Sequence, residues 1–258
     1  MKTLFLTFWV ACAAIAPTLA QKTVDAKEII DRINRKEAVS YQNVTITGDL
    51  DLTNLANRRE VREGTWRGDS REYLSVVDVP LSFKNCTFNG RFLAYRVDDQ
   101  DGRRLKMSNT VYNADFTEAV TFEGCTFRDD AAFKYSHFSQ RAIFAANTFQ
   151  ENALFKYSKF NNEANFGGST FRDYADFKYT KFDESSSFQN VAFERYADFK
   201  YTKFDERVDF SQARFTSNAD FKYTQLPRGT RFDNARFTGS TDFKYTTLDG
   251  RKFSPNGR

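Results

Sequence analysis

Ala175-Asp176-Phe177-Lys178-Tyr179 is repeated 22 residues later, letter for letter, as Ala197-Asp198-Phe199-Lys200-Tyr201. Looser copies flank the pair: Ala131-Ala132-Phe133-Lys134-Tyr135, Ala153-Leu154-Phe155-Lys156-Tyr157, Ala219-Asp220-Phe221-Lys222-Tyr223 and Thr241-Asp242-Phe243-Lys244-Tyr245. All six copies keep the 22-residue spacing without slip. Inside each unit a large apolar residue recurs at alternating steps of 5 and 6, from Val111 and Phe116 through Phe122 and Phe127 to Phe243 and Leu248. From Phe116 on, a small or narrow residue such as Ala114, Val120, Cys125 or Ser136 stands two places ahead of each, and polar residues fill the remainder. Neither a helix of period 3.6 nor a strand of period 2 yields this pattern. A coil of four short sides does: one large residue per side fills the centre, and the small one lets the chain turn beside it. Stacked coils then bury a column of Phe that no single coil could bury, which accounts for 29 Phe in 258 residues.

The Ala-Asp-Phe-Lys-Tyr pentads resemble the motif of pentapeptide-repeat proteins: a small residue, Asp or Asn, a central Leu or Phe, then two variable positions. The resemblance covers residues 111–248 and, more loosely, 44–55 and 81–95. It implies an all-β fold, a right-handed quadrilateral parallel β-helix. The two six-residue steps per coil depart from a strict pentad and are assigned to widened corners.

Ahead of the ruler, residues 1–20 carry one charge, Lys2, an apolar run from Leu4 to Ile15, and Leu19-Ala20 at the exit. That describes a cleaved export signal, leaving Gln21 first; a lipoprotein signal acylated on Cys12 is the alternative. No later apolar run reaches spanning length, so no transmembrane segment is expected in the mature chain. Residues 21–43 read as a helical cap. Asp25 caps, Glu28 reaches back, and Ala26, Ile29, Ile30 and Ile33 share one face. Residues 44–258 form the β-helix, with polar insertions near 57–73 and 98–110 that read as loops or hairpins.

The composition excludes several chemistries. One His (His137), expected on the solvated surface, supports no His-based metal cluster, and neither a phosphate loop nor a nucleophile elbow is present. No enzyme activity and no cofactor are expected. The ruler puts Leu105 in register with Phe127 and Phe88 one coil further back. Cys86 and Cys125 would then lie two coils apart, beyond disulfide reach, as buried free thiols. Three outward rows remain as candidate binding rows. They comprise Asp176, Asp198, Asp220 and Asp242; Lys134, Lys156, Lys178, Lys200, Lys222 and Lys244; and Tyr135, Tyr157, Tyr179, Tyr201, Tyr223 and Tyr245. Cations and rings at regular spacing suit an anionic polymer, a glycan or a protein, whereas Tyr-on-Tyr stacking with Lys–Asp pairs would make the rows stabilising ladders.

The expectation is a non-enzymatic, exported solenoid, periplasmic, surface-bound or extracellular. It would act as a structural or interaction module with a protein or glycan partner, with a β-helix end available for a homodimer contact. The resemblance also implies an alternative, the DNA-mimicking topoisomerase (gyrase) binder. Such a mimic is cytoplasmic and strongly negative. Removing Lys2 with the leader leaves 37 basic against 34 acidic residues, net +3, so this role is disfavoured and no nucleic-acid partner is expected.

Overall fold

The computed structural model describes residues 22–61, 71–98 and 110–253. The chain winds into coils whose sides stack as four parallel sheets, so it is a quadrilateral parallel β-helix. One coil shows the plan. Ala131–Ala132 lies on the first face, His137–Phe138 on the second, Ala142–Ile143 on the third and Thr148–Phe149 on the fourth. The next coil begins at Ala153, directly paired to Ala131.

Phe rings fill the centre in columns. On the first face Phe133, Phe155, Phe177, Phe199 and Phe221 stack at 4.9–5.0 Å with planes within 9°. Across the coil the rings meet edge to face, as Phe144 and Phe155 do at 5.3 Å and 82°. Both arrangements suit the ring quadrupole, and each ring is fully buried. The five-residue steps contain tight turns. Ser136 N–H donates to the Phe133 carbonyl at 3.1 Å, and Ser169 N–H to that of Phe166 at 3.2 Å. The extra residue of the six-residue steps falls in wider bends at the other two corners, residues 139–141 and 150–152. Small inward residues that are polar are mostly satisfied: Thr180 and Thr202 hydroxyls each donate at 2.7 Å to a Phe carbonyl in the preceding coil.

The strand Lys22–Asp25 pairs with Val44–Thr47, so the stack begins before the helix. The helix Ala26–Asn34 buries Ala26, Ile29 and Ile33. Asp25 caps it by accepting from Lys27 N–H at 2.8 Å. Glu28 does not reach back to the cap; it accepts from the Tyr41 hydroxyl at 2.8 Å.

The ruler miscounts in one place. Phe88 pairs directly with Phe127, their rings 4.7 Å apart and 1° from parallel. No coil lies between them; Leu105, expected to mark one, lies outside the described residues. The intervening chain leaves one coil as the strand Tyr95–Asp98, returns antiparallel to it as Thr110–Phe116, and adds nothing to the rise. Val111, expected at the head of the Phe columns, is instead half-buried in that returning strand. A second excursion, Arg59–Val61 against Arg71–Val77, lies alongside, because Arg71–Val77 pairs in parallel with Thr110–Phe116. Residues 1–21, Cys12 among them, 62–70, 99–109 and 254–258 are outside the described residues. Among the described residues no helix is long and apolar enough to cross a membrane.

Candidate binding face

The tight turn after each first-face Phe sets the candidate rows. In Phe-Lys-Tyr-Ser and its copies the third residue must take the left-handed conformation. Tyr135, Tyr157, Tyr179, Tyr201, Tyr223 and Tyr245 all do so, with φ between 59° and 62°. A ring in that conformation points off the corner, and the six rings stack on one another at 4.7–4.9 Å. Above Tyr135 the row continues to Tyr95 at 5.7 Å. Five of the rings are 38–43% exposed and Tyr245, at the end, 54%. What faces water is therefore ring edge and hydroxyl. The ring faces, which a sugar would need for stacking, are covered by neighbouring rings.

The Lys row is pinned on both sides. Lys156, Lys178 and Lys244 hold their ammonium groups 5.1, 5.4 and 4.9 Å from their own Tyr ring centres. Lys134 lies 4.6 Å from the Tyr95 ring. Lys200 reaches diagonally to Asp220 at 3.1 Å, and Lys222 bridges Asp220 and Asp242 at 3.3 Å each.

Three of the four Asp side chains do not face water as expected; Asp242, at the end of the column, does. Asp176, Asp198 and Asp220 are buried, only 5–6% exposed. Each folds back to accept a backbone N–H two residues on, from Lys178, Lys200 and Lys222 at 3.1, 2.9 and 2.9 Å. Such turns are what short Asx side chains offer. Burial pushes the Asp176 and Asp198 carboxyls up, against the N–H they accept, and the next carboxylate in the column pushes the same way. Tyr174 and Tyr196 cover this column, stacked at 5.3 Å, with the Tyr174 hydroxyl donating to Asp198 at 3.3 Å. Burial and the Asp198 carboxylate push the Tyr196 phenol up to about 12. These two tyrosines escaped the reading of the sequence, although Tyr-Ala-Asp-Phe-Lys-Tyr stands twice at the 22-residue spacing.

A second charge ladder on the adjoining face was missed as well, though Lys-Phe-Asp recurs at 181 and 203. It alternates in sign: Lys159–Asp183 3.0 Å, Lys181–Asp183 2.6 Å, Lys181–Asp205 3.1 Å and Lys203–Asp205 2.9 Å. His137 is half-buried rather than solvated; its backbone N–H donates to Asp115 at 2.9 Å. Among the described residues no three His, Cys, Asp or Glu side chains converge as a metal site requires. An open groove of 470 Å³ near the C-terminal coils is lined by charges of both signs, among them Lys203, Asp205, Glu206 and Arg228.

No curated protein matches the chain. The solved structure of HetL, a pentapeptide repeat protein involved in heterocyst differentiation regulation from the cyanobacterium Nostoc sp. strain PCC 7120, shares 11% identity with it. That match covers 88% of this chain and 98% of HetL with a TM-score of 0.20, too low to compare the two bodies. A family model described as pentapeptide repeats (9 copies) matches residues 155–203, 177–225 and 199–247. Those matches begin at Phe155, Phe177 and Phe199, successive rings of one column and successive turns of the four-sided coil, and the coils from 155 to 247 are pentapeptide repeats.

Proposed function

We propose that the protein is a non-enzymatic, exported solenoid that serves as a structural or interaction module of a bacterial envelope. The observation that carries this reading is the mutual occupation of the outer rows. Tyr covers Tyr, and Lys is held by Tyr or Asp in coil after coil. A wall built that way is stiff and has few unsatisfied groups to offer a small substrate. The inserted hairpins, where Arg58 lies 5.6 Å from the Tyr73 ring, are the part of the surface that does not repeat, and a protein or glycan partner docks there in this reading. The alternation of Lys and Asp along the wall argues against the uniformly negative surface of a DNA mimic.

Cell fractionation with mass spectrometry tests export: the expected N-terminus is Gln21, and an intact Met1 in the cytoplasm would remove the envelope role. Pull-down with the purified chain tests the module. Replacing Lys178, Lys200 and Lys222 by Gln, and separately Tyr179, Tyr201 and Tyr223 by Ser, should leave partner capture intact. The Tyr set should lower the melting temperature, and the Lys set should lower it as well, because Lys200 and Lys222 are the partners of the buried Asp220 and their loss leaves that carboxylate unpaired. Loss of capture at an unchanged melting temperature would instead make the rows the binding site.

A further inference from the structure

Because no coil separates Phe88 from Phe127, Cys86 and Cys125 are neighbours. Thr126 N–H donates to the Cys86 carbonyl at 2.8 Å, fixing the two corners one strand spacing apart, about 4.8 Å. Both side chains point inward and are 1% exposed. The Cys125 thiol is aimed at the coil that holds Cys86, its Sγ 3.3 Å from the Phe83 carbonyl. The Cys86 Sγ lies 3.3 Å from the Lys84 carbonyl and 3.5 Å from that of Tyr41, and the two thiols are not linked in this structure. A separation of one strand spacing falls inside the Cα range a disulfide spans.

We propose that Cys86 and Cys125 form a disulfide that ties adjacent coils together at the corner opposite the one from which the strand Tyr95–Asp98 leaves, made as the chain folds in the presence of a disulfide oxidant. The reaction is thiol–disulfide exchange. One protein thiolate attacks a sulfur of the oxidant, a disulfide of a small monothiol such as glutathione disulfide, and one oxidant thiolate leaves. The second protein thiolate attacks the mixed disulfide at the protein sulfur, the Cys86–Cys125 bond forms, and the other oxidant thiolate leaves. Two electrons have passed to the oxidant, and the two thiol protons end on its released sulfurs. Burial dictates the timing: once the coils have closed, neither sulfur is accessible, so the bond precedes closure. The competing role is visible at the same corner, where Asn147 and Ser169 side chains satisfy the Phe122 and Phe144 carbonyls at 2.8 and 2.6 Å. In that role the thiols are small donors and stay reduced.

The bond rests on the export reading only for where the oxidant is met in the cell, so the test is made on purified protein. The full chain carrying Cys12→Ser is refolded from guanidinium, once in a mixture of oxidised and reduced glutathione and once in excess reductant, then alkylated in denaturant. The expected product of the first arm takes up no alkyl group, is lighter by two hydrogens than the reduced, unalkylated chain, and yields a single linked peptide holding Cys86 and Cys125. It melts about 10 °C above the reduced arm, since the link closes a loop of about 40 residues. Cys86→Ser and Cys125→Ser should fold, because Ser stands at the equivalent corner in Ser169, and should lose the difference between arms. Two alkylated thiols, separate glutathione adducts on each, or an unchanged melting temperature in the linked protein would overturn the proposal. A reduced pair in protein taken from cells, alongside a linked pair after refolding, would overturn the export reading and leave the geometry standing.

Discussion

Tyr179 occupies a backbone conformation that costs an L-residue roughly 1–2 kcal/mol, and Gly would hold it without strain. The ring offsets the cost by stacking on Tyr157 and Tyr201 at 4.9 and 4.7 Å, each stack worth about 0.5–1.5 kcal/mol. Tyr179→Ala keeps the strain and loses both stacks, so it should cost about 2 kcal/mol; Tyr179→Gly relieves the strain and should cost about 1 kcal/mol less. Chemical denaturation of both variants beside the parent chain checks the two terms; if the ring did not matter, Tyr179→Ala would be neutral and Tyr179→Gly stabilising. Asp198 gives a pH test. Its folded carboxyl lies above the ordinary Asp range, burial first and Asp220 adding to it, so the native state holds the proton more tightly than the unfolded chain. Its share of stability is therefore greatest below the ordinary Asp range and falls as pH rises through the raised value. Asp198→Asn keeps an acceptor for Lys200 N–H and removes the charge, so it should raise the melting temperature at pH 7 and have little effect near pH 3. Asp183 has the opposite sign. Burial works against it, but the Lys181 and Lys159 ammoniums hold its carboxyl below the ordinary range, so its contribution is present at neutral pH and lost as acid protonates it. The sequence placed the Asp row correctly and judged its exposure wrongly. A carboxylate in a polar row reads as solvated, and nothing in the row itself reveals that it turns back onto its own backbone.

At the scale of the coil, the 22-residue period is the unit of pairing, and every outer ladder depends on it. Deleting residues 177–198 joins Asp176 to Phe199 with all four faces and the Tyr, Lys and Asp ladders still in register. Deleting 11 residues, 177–187, leaves the 5 and 6 steps intact but brings Phe188, from the opposite corner, onto the first face, where the turn that follows carries Asn190 in place of Tyr. The first deletion should stay cooperative and lose only a few degrees, while the second should lose more, although it removes less chain. Melting curves of the pair separate ladder register from column length. The coil was legible because its spacing never slips between 131 and 241. The hairpins were legible only as interruptions. A ruler counts residues, and an excursion that leaves and returns at the same corner adds residues without adding height. Pairing of Phe88 with Phe127 is a three-dimensional fact to which the period is blind.

For the whole molecule, stability is a chain of nearest-neighbour contacts, and the two ends differ. The helix Ala26–Asn34 lies over the first coils, with Ile29 and Ile33 buried. At the other end, among the described residues, the strand Arg251–Lys252 folds back onto one of the four faces and Phe253 packs on Phe232 and Phe243, while Phe232, Phe237 and Phe243 remain half-buried. Phe199→Asp puts an unpaired charge amid stacked rings and should abolish cooperative folding at ordinary temperatures. Phe243→Asp, with water nearby, should leave a folded body that melts a few degrees lower. Circular dichroism melts of both variants test this; equal damage would mean that the terminal coil is as tightly enclosed as the middle. The four-sided coil also fixes how such a body changes size. One full circuit of 22 residues advances the axis by a single strand spacing, about 4.8 Å. Length therefore comes in steps, one per circuit, while girth is set by side-chain volume and does not change. A lineage that gained or lost circuits by unequal recombination would alter the reach of this rod in discrete increments and leave its cross-section untouched.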